Sequence, residues 1–423
     1  MTRKDIEIMA PVGSYESLMA AIKGGADSVY FGVEQLNMRA ASSNNFTVDD
    51  LRNIVTICRD NGLRSYLTLN VVVYDNEIAQ MKEIVDAAAS SGVTAVIASD
   101  LSVIDYAFSK GMEIHLSTQL NISNVEAIRF YSRWADVVVL ARELNLDQVS
   151  AISEEIRKRD IRGPGGSLVR IEMFAHGALC MAISGKCYLS LHEYNKSANR
   201  GECNQICRRS YVVTDKETGS ELEVDNQYIM SPRDLCTIGF LDRIIAAGVT
   251  VLKIEGRARP PEYVKIVSEC YSQAVEAIAS GNFGEERVNG WIEQLSKVFN
   301  RGFWDGYYLG RRLGEWTNRY GSSATKTKVY LGKITNYFTK IGVAEIKLEN
   351  GDLETGETLL ITGPSTGIVE LEVDEVRVDL KSVEKALKGE FCSVRVNEYL
   401  RRSDKVYKWV DTETLRLKKS LQD

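Results

Sequence analysis

Apolar runs and amphipathic stretches alternate along the first 260 residues of this 423-residue chain. Each short β-branched or apolar run is followed by a polar turn and then by apolar positions at helical spacing, which predicts strands that alternate with helices. The predicted strands are Ile6–Met9, Ser28–Phe31, Arg64–Leu69, Ala95–Ala98, Glu113–Leu116, Val137–Leu140, Val169–Phe174 and Val251–Ile254. The predicted helices are Ser17–Lys23, Asp49–Asp60, Glu77–Ser90, Ser102–Ser109, Val125–Ser132, Leu146–Arg159 and Leu241–Ala247.

Eight strands joined by crossover helices predict an α/β fold, a (β/α)8 TIM-barrel-like domain. Several predicted helices end in glycine just before the next strand, as at Gly24 and Gly92, which is typical of a helix C-cap. A doubly wound open sheet is the alternative, because periodicity alone does not show that a sheet closes.

The regular alternation breaks once, in a four-cysteine insert that spans residues 175–249. A small β-like piece is predicted near Tyr211–Val224. Long inserts in compact domains usually carry function, and loops that follow barrel strands emerge at the face where such barrels hold their active sites. We therefore expect the cysteines to cover the barrel mouth.

A second domain is predicted after the barrel. Helical patterns at Glu262–Ser280 and Asn289–Phe299 come first. The sequence pattern then changes to that of short strands separated by turn residues. The strand-like runs are Val329–Ile334, Ile341–Leu348, Thr358–Ile361, Gly367–Val373 and Ser393–Val396. This spacing predicts a small antiparallel β-barrel domain over residues 325–410, after a catalytic domain over residues 1–320.

The formal net charge of −6 excludes a strongly basic overall field, so any contact with nucleic acid must come from a local patch. Neither a signal peptide nor an apolar run of membrane-spanning length is evident, so we expect a cytoplasmic protein without a membrane partner. In that reducing compartment, clustered cysteines indicate metal or redox chemistry more than structural disulfides.

Four of the eight cysteines fall in the insert, spaced C-x6-C-x15-C-x3-C. The spacing favours a [4Fe–4S] cluster, whose ligands surround a larger object than one ion, while structural zinc and redox or buried thiols stay as alternatives. The predicted metal ligands are Cys180, Cys187, Cys203 and Cys207. Cys236 competes for a ligand position, and the remaining three, Cys58, Cys270 and Cys392, fit core positions.

Several motifs carry a resemblance to the collagenase-like peptidase family U32, over residues 5 to about 310. The motifs are Glu172–Cys180, Ser184–Ser190, Lys253–Arg257, Pro261–Val264, Arg301–Phe303 and Gly306–Tyr308, with Ala10–Gly13 and Gly24–Asp27. The C-terminal β domain is similar to that of the longer members.

The resemblance implies an enzyme whose activity the family name, peptidase, does not describe. It is closest to the tRNA branch, which takes part in oxygen-independent hydroxylation of wobble uridine to 5-hydroxyuridine. It further implies that the four insert cysteines hold a [4Fe–4S] cluster and that prephenate supplies the hydroxyl group. The expected partners are tRNA, a small carboxylate co-substrate and a homologous family subunit.

Other candidate site residues fall at or just past the carboxyl ends of predicted strands, which meet at the barrel mouth. Cationic members could capture the carboxylates of a co-substrate. The predicted catalytic residues are His176, Lys253, Glu255 and Arg257. The predicted substrate-binding residues are Asn70, Gln119 and Arg142 at strand ends and Arg200 in the insert, with Asn121 as a further candidate. Lys253 and Glu255 could instead form a buried ion pair, and His176 could be a positioning or core residue.

A candidate RNA surface combines basic residues with aromatic side chains that could stack on an unpaired base. Its members are Asn199, Arg200, Gly201, Arg208, Arg209, Lys326, Lys328, Arg401 and Arg402, with Tyr194 and Tyr211.

Two other functions stay open. A cysteine peptidase would need a thiolate beside an imidazole, and only His115, His176 and His192 are available. A non-catalytic scaffold that pairs with a homologous subunit is the other.

Overall fold

The structure, a computed structural model, describes residues 1–40, 45–214, 216–219, 221–222, 230–310, 315–317 and 321–420. Its strands are β1 Glu7–Pro11, β2 Ser28–Phe31, β3 Arg64–Leu69, β4 Ala95–Ala98, β5 Glu113–Leu116, β6 Val137–Val139, β7 Arg170–Ala178, β8 Val213–Thr214, β9 Glu221–Leu222, β10 Asp234–Cys236, β11 Val249–Ile254, β12 Phe303–Trp304, β13 Lys326–Phe338, β14 Val343–Leu348, β15 Leu353–Glu354, β16 Thr358–Gly363, β17 Gly367–Glu372, β18 Val376–Val378, β19 Lys381–Val383, β20 Lys385–Ala386, β21 Phe391–Arg395 and β22 Lys405–Asp411. Its α-helices are α1 Tyr15–Lys23, α2 Leu51–Asp60, α3 Ile78–Ser91, α4 Leu101–Ser109, α5 Val125–Tyr131, α6 Leu146–Lys158, α7 Leu189–Tyr194, α8 Leu241–Ala246, α9 Pro261–Ala279, α10 Glu285–Lys297 and α11 Thr412–Ser420.

Eight parallel strands close into a barrel. Strands β1 to β7 pair in chain order, and β11 pairs with both β7 and β1. Because β11 returns to β1, these eight strands form a closed ring, and the prediction of a TIM-like barrel is confirmed over the open-sheet alternative. The eight predicted strands are the eight barrel strands.

The barrel interior is filled by alternate residues of these strands, and part of that filling is charged. One apolar layer holds Met9, Tyr30, Tyr66, Ile97 and Val251. Buried charged side chains share the interior and are described below with the site. A charge on a strand covered on both faces requires a buried partner, because transfer of an unpaired charge from water is very costly.

The insert leaves the barrel at the end of β7 and returns beside it. Strand β10 runs antiparallel to β7, and β12 runs parallel to β10. Gly177, one residue before the end of β7, has φ 106°. A Cβ at this position would lie 2.8 Å from the Tyr263 hydroxyl, so glycine is required. Strands β8 and β9 form the predicted small β piece.

The C-terminal segment forms an eight-stranded antiparallel sheet in the order β17-β16-β22-β13-β14-β21-β18-β19, as the turn signals predict. Its own core includes Leu331, Ile346, Leu359 and Val406. Strand β22 was not predicted, because its lysines indicated only local positive charge. Val406, which follows Lys405, is fully buried.

This sheet packs on the barrel through α1 and α9. A Cβ on Gly367 would lie 2.7 Å from the Met19 Cβ, and Ile368 belongs to the barrel's core. Lys328 pairs with Glu262 of α9 at 3.0 Å. The proposed division between residues 320 and 325 stays a prediction, since the two parts share core contacts.

Within the described part of the chain, none of the helices combines the length and the apolar composition that a membrane crossing requires.

Candidate functional site

A cavity of about 710 Å³ opens at the carboxyl ends of the barrel strands, beneath the insert. Its floor and walls include Thr68 and Asn70 from the end of β3, Phe174 of β7 and Lys253 of β11. Its cover comes from residues 178–208, which we call the cap. The cavity therefore lies where parallel barrels place their functional groups.

All four predicted ligand cysteines line this one cavity, although they are 27 residues apart at the extremes. Cys180 comes two residues after β7, and Cys207 sits in a 3-10 turn anchored by its neighbour Arg208, which donates to the carbonyls of Leu179 and Pro232. Burial raises the pKa of Cys207 to about 11, opposed by Arg208 and supported by the thiols of the other three cysteines. The four thiols are thus electrostatic neighbours.

The four cysteine thiols are donors of the type that binds an iron–sulfur cluster. Within the described residues, no group of three or more His, Cys, Asp or Glu side chains is arranged to hold a metal ion. Four thiols distributed around a shared cavity are the usual ligand set of a [4Fe–4S] cluster, which spreads its ligands around a larger body.

The other cysteines lie away from this cavity. Cys236, the predicted competitor, is on β10, where burial raises the pKa of its thiol to about 11 beside Tyr271. Cys58, Cys270 and Cys392 are free and buried, in agreement with their core assignment.

The cavity lining is strongly cationic in a chain of net charge −6. Eight lysine and arginine side chains line it, against one carboxylate, that of Glu255. The cations are Arg39, Arg142, Lys186, Arg208, Lys253, Arg257, Arg259 and Arg301. Such a lining favours anions, and an iron–sulfur cluster with four thiolate ligands is itself anionic.

Arg257 is a buried guanidinium held only by neutral partners. It donates to Thr68 Oγ1 and to Asn37 Oδ1, each at 2.9 Å. Burial lowers the pKa of Arg257 to about 10, so the group stays charged at neutral pH. Among the ion pairs of the described residues none includes Arg257, which leaves its charge available to an anion.

Arg142 is similar. Its Nη2 donates to Ser184 Oγ at 2.6 Å, and its guanidinium lies 5.6 Å from the Phe174 ring centre. No carboxylate pairs with it in the described part of the chain. Asn121, another candidate, fixes the same stretch of the cap, because its side-chain amide donates to the Ser184 carbonyl at 3.1 Å.

Lys253 has a buried partner that is not Glu255. Its Nζ lies 2.6 Å from Glu172 Oε1, and Glu172 is completely buried. The second oxygen of Glu172 lies 3.5 Å from His115 Nδ1, and His115 Nε2 lies 3.1 Å from Glu113. A line of alternating charge therefore runs from the cavity down the barrel axis, ending at Glu113 and its partner Arg64.

Glu255 pairs with Arg39, which follows β2, at 2.5 Å. Burial would raise the pKa of Glu255, but Arg39, Arg257 and Arg142 lower it below its usual range. The carboxylate is therefore ionised, and the two unpaired arginines lie within its electrostatic reach.

His176 does not line the cavity. It is buried beside Tyr271, whose hydroxyl lies 3.5 Å from His176 Nδ1, and its ring packs near Tyr263 and Phe303. Burial and Arg259 lower the pKa of His176 to about 3, so the ring is neutral. Its backbone carbonyl accepts from Glu255 N at 2.8 Å. This placement fits a positioning residue rather than a proton donor to a ligand.

Two amides of the predicted set line the cavity together. Asn70 Nδ2 donates to Ser117 Oγ at 3.2 Å, and Ser117 donates in turn to Gln119 Oε1. Asn70 Oδ1 also accepts from Met38 N, which fixes the loop after β2.

Arg200, predicted to bind substrate, is occupied elsewhere. Its guanidinium pairs with Glu77, donates to the Val72 carbonyl and stacks 4.0 Å from the Tyr74 ring centre. It fastens the cap to the loop after β3 and does not line the cavity, so its structural role replaces the predicted one.

The predicted RNA surface is not one patch of free groups. Arg209 donates to the Tyr194 hydroxyl at 2.8 Å, Tyr211 donates to the Ile206 carbonyl, and Lys328 is paired at the sheet interface. Arg401 stacks on Tyr399 in the loop between β21 and β22.

Sequence reasoning missed Arg39, Glu172, His115 and Arg259 as parts of the site. Glu172 and His115 carried a usable signal, since each places a charge or imidazole inside a strand that is otherwise apolar. Arg39 and Arg259 lie in loops, where the sequence pattern gives no comparable signal.

Together these features define a class: a closed (β/α)8 barrel whose mouth is covered by a four-cysteine cap over a cationic cavity. The model of Peptidase family U32 matches residues 13–318, and the chain belongs to that family. It is 62% identical over 409 residues to a protein of Porphyromonas gingivalis named "Collagenase", covering 97% of this chain and 99% of the relative.

Two further relatives carry RNA-related names. One is "tRNA hydroxylation protein P1" of Bacillus subtilis, 31% identical over 344 residues, with 79% of this chain and 78% of the relative covered. The other is "23S rRNA 5-hydroxycytidine C2501 synthase" of Escherichia coli, 32% identical over 320 residues, with 73% of this chain and 46% of the relative covered.

Proposed function

We propose that this chain is an iron–sulfur enzyme that hydroxylates a wobble uridine of tRNA to 5-hydroxyuridine with a hydroxyl group derived from prephenate. One observation carries the proposal: four thiols share a cavity with a cationic lining that contains arginines without a carboxylate partner. The names of the Bacillus and Escherichia relatives support RNA hydroxylation as the reaction class.

Cys180, Cys187, Cys203 and Cys207 would hold the cluster. When bound, it would supply a Lewis-acid or redox centre at the roof of the cavity. Arg208 opposes the rise that burial causes in the pKa of Cys207.

Arg142 and Arg257 would bind the two carboxylates of the co-substrate. Each is fixed by a neutral hydrogen-bond partner, so its orientation is set before the anion arrives. Lys253 is paired with Glu172 and belongs to the floor of the cavity beneath these two arginines. The arginines bind and orient the anion, which is how positioning lowers a barrier.

The cap supplies positive charge at the cavity entrance. Its residues 178–208 contain four lysines and arginines against two glutamates, although the whole chain is acidic, and Lys186 among them is exposed and lines the cavity. Because the backbone phosphates dominate the affinity of RNA-binding proteins, a cationic rim around the cavity suits an RNA loop that delivers one base.

The test is nucleoside analysis of tRNA from a host that lacks its own uridine-hydroxylating enzymes. Expression of the wild-type chain is expected to produce 5-hydroxyuridine, and the Cys180→Ala and Arg257→Gln variants are expected to reduce it at least tenfold. Cys58→Ala serves as a control for thiol loss outside the cavity. Modification of ribosomal cytidine instead, or no modified nucleoside, would refute the tRNA assignment.

A peptidase is the second candidate, favoured by the name of the Porphyromonas relative. Only His192 of the three histidines lines the cavity with the cysteines, and the described residues show no hydrogen bond between a cysteine and a histidine side chain. Cleavage of denatured collagen that persists in cluster-free protein, and that His192→Gln abolishes, would establish it. A scaffold role with a homologous subunit would instead give a stable heteromeric complex without turnover.

A further inference from the structure

Exposed apolar side chains concentrate on the cap. In residues 181–194 six large apolar or aromatic side chains are exposed, namely Met181, Ile183, Tyr188, Leu189, Leu191 and Tyr194. Three of these, Met181, Tyr188 and Leu189, also line the cavity, so they lie at its mouth. Exposed apolar groups gathered at the entrance of a cavity indicate an interaction surface.

Tyr188 is the most exposed of the six, at 75%. It stands directly before α7, next to the predicted ligand Cys187. Tyr194, by contrast, is covered by Arg209, whose guanidinium lies 5.5 Å from its ring centre. Among the described residues no ring or cation packs on Tyr188, so both faces of its ring are open to a ligand.

The charge around this ring selects the kind of ligand. Lys186, two residues away, is exposed and lines the same cavity, and the deeper lining is cationic. An open aromatic ring beside cations is how proteins bind an unpaired base together with its phosphates. A peptide would also use the apolar rim, but it has no need of a cationic interior.

We propose that Tyr188 is the stacking platform on which an unpaired RNA base rests as it enters the cavity. The inference rests on the proposed function and adds a specific residue to it. The expected partner is a single-stranded loop, because a paired base presents no free face. The ring gives affinity rather than base identity, since every base has a π-face.

The experiment measures binding of an unmodified tRNA transcript to full-length, cluster-containing protein by fluorescence anisotropy. Tyr188→Ala is expected to weaken binding by about 5- to 150-fold, the change that corresponds to one stacked base. Tyr188→Phe keeps the ring and is expected to bind within twofold of the wild type. Leu191→Ala, an exposed apolar position on α7 that does not line the cavity, is the matched control.

Two further readouts separate stacking from damage to the cap. The visible spectrum of each variant must match the wild type, because Tyr188 adjoins a predicted ligand. In Tyr188→Trp the indole fluorescence is expected to be quenched when the transcript binds, beyond the change that the five native tryptophans show in the wild type.

Several outcomes would overturn the inference. If Tyr188→Ala binds the transcript as the wild type does, Tyr188 is not the platform, while the proposed function stands. If the wild type binds no transcript, the proposed function itself fails. If Tyr188→Ala loses affinity for a denatured-collagen peptide and not for RNA, the surface belongs to a peptide.

Discussion

Charged residues at the ends of the barrel strands have different roles in this cavity, and the role of each residue depends on its partner. Lys253 and Glu255 have partners of opposite charge, Glu172 and Arg39, and so form part of the framework. Arg142 and Arg257 have only neutral partners and keep their charge for a ligand. The sequence indicated all four by their position at strand ends, but not the pairing, because partners come from distant strands.

Arg142→Gln tests the anion site at this scale. Loss of a charge-assisted contact costs about 1.5–3 kcal/mol, so prephenate should bind roughly 10- to 150-fold more weakly. Calorimetric titration of the cluster-containing protein would measure the dissociation constant. Arg129→Gln, on the exposed face of α5, is the control. Equal affinity in Arg142→Gln and wild type would place the carboxylates elsewhere.

His115 should make stability depend on pH. Its neighbours are Glu113 and Glu172, with Tyr66 of β3 at 4.5 Å between ring centres and Glu7 of β1 within electrostatic range. Burial would lower the pKa of His115, but the two carboxylates raise it above its ordinary value of about 6.5. The charged imidazole therefore stabilises the fold fully below pH 6.5, and this contribution is lost as pH rises through the raised pKa.

The measurement is the free energy of unfolding between pH 6.5 and pH 9. For wild type it should fall with pH more steeply than for His115→Gln, by at most about 1.4 kcal/mol per pH unit for one proton. Parallel curves for wild type and His115→Gln would show that His115 does not change its charge over this range.

At the scale of elements, the sequence predicted most of the framework. All eight barrel strands were found, because a strand covered on both faces reads as an apolar run between turn signals. Strands β10 and β12 were missed, since each is two or three residues long and forms only by pairing with β7 or its neighbour. The sequence placed the cap over the barrel mouth. It did not predict the contacts of the cap, such as the ion pair between Arg200 and Glu77, because these contacts depend on loop conformations.

Gly32, just past β2, shows how an element end positions a site residue. A Cβ there would lie 2.8 Å from the Asn37 side chain and would also contact the tip of Arg257. Gly32→Ala is therefore expected to move the Arg257 guanidinium, to weaken prephenate binding about tenfold and to lower the free energy of unfolding by about 1–3 kcal/mol, because both contacted side chains are buried and hydrogen-bonded to each other.

Titration with prephenate and a thermal melt would check this pair of effects. Gly290→Ala, on α10 with no atom within 4 Å of the added Cβ, is the control. A large fall in melting temperature without weaker binding would mean that the backbone, and not Arg257, absorbs the change.

In the whole molecule, the cavity and the C-terminal sheet are separate. Every residue that lines the cavity lies between Tyr30 and Arg301, so none comes from the sheet that begins at Lys326. The sheet instead covers α1 and α9 on the outside of the barrel.

Gly367→Leu separates these two parts by experiment. At φ 69° and with Met19 Cβ within 2.7 Å of an added Cβ, a side chain at this position should lower the free energy of unfolding by about 1–3 kcal/mol. Prephenate affinity should stay within twofold of the wild type. Denaturant unfolding and calorimetry would measure both, and a lost affinity would show that the sheet supports the cavity.

The central claim is that four cap cysteines hold an iron–sulfur cluster above an anion-binding cavity. Iron and acid-labile sulfide per chain, with a visible spectrum, on protein purified without air, test it most directly. The account predicts roughly four of each, lost in Cys203→Ser and retained in Cys58→Ala. Stoichiometric zinc, or no metal in protein that is otherwise folded, would contradict it.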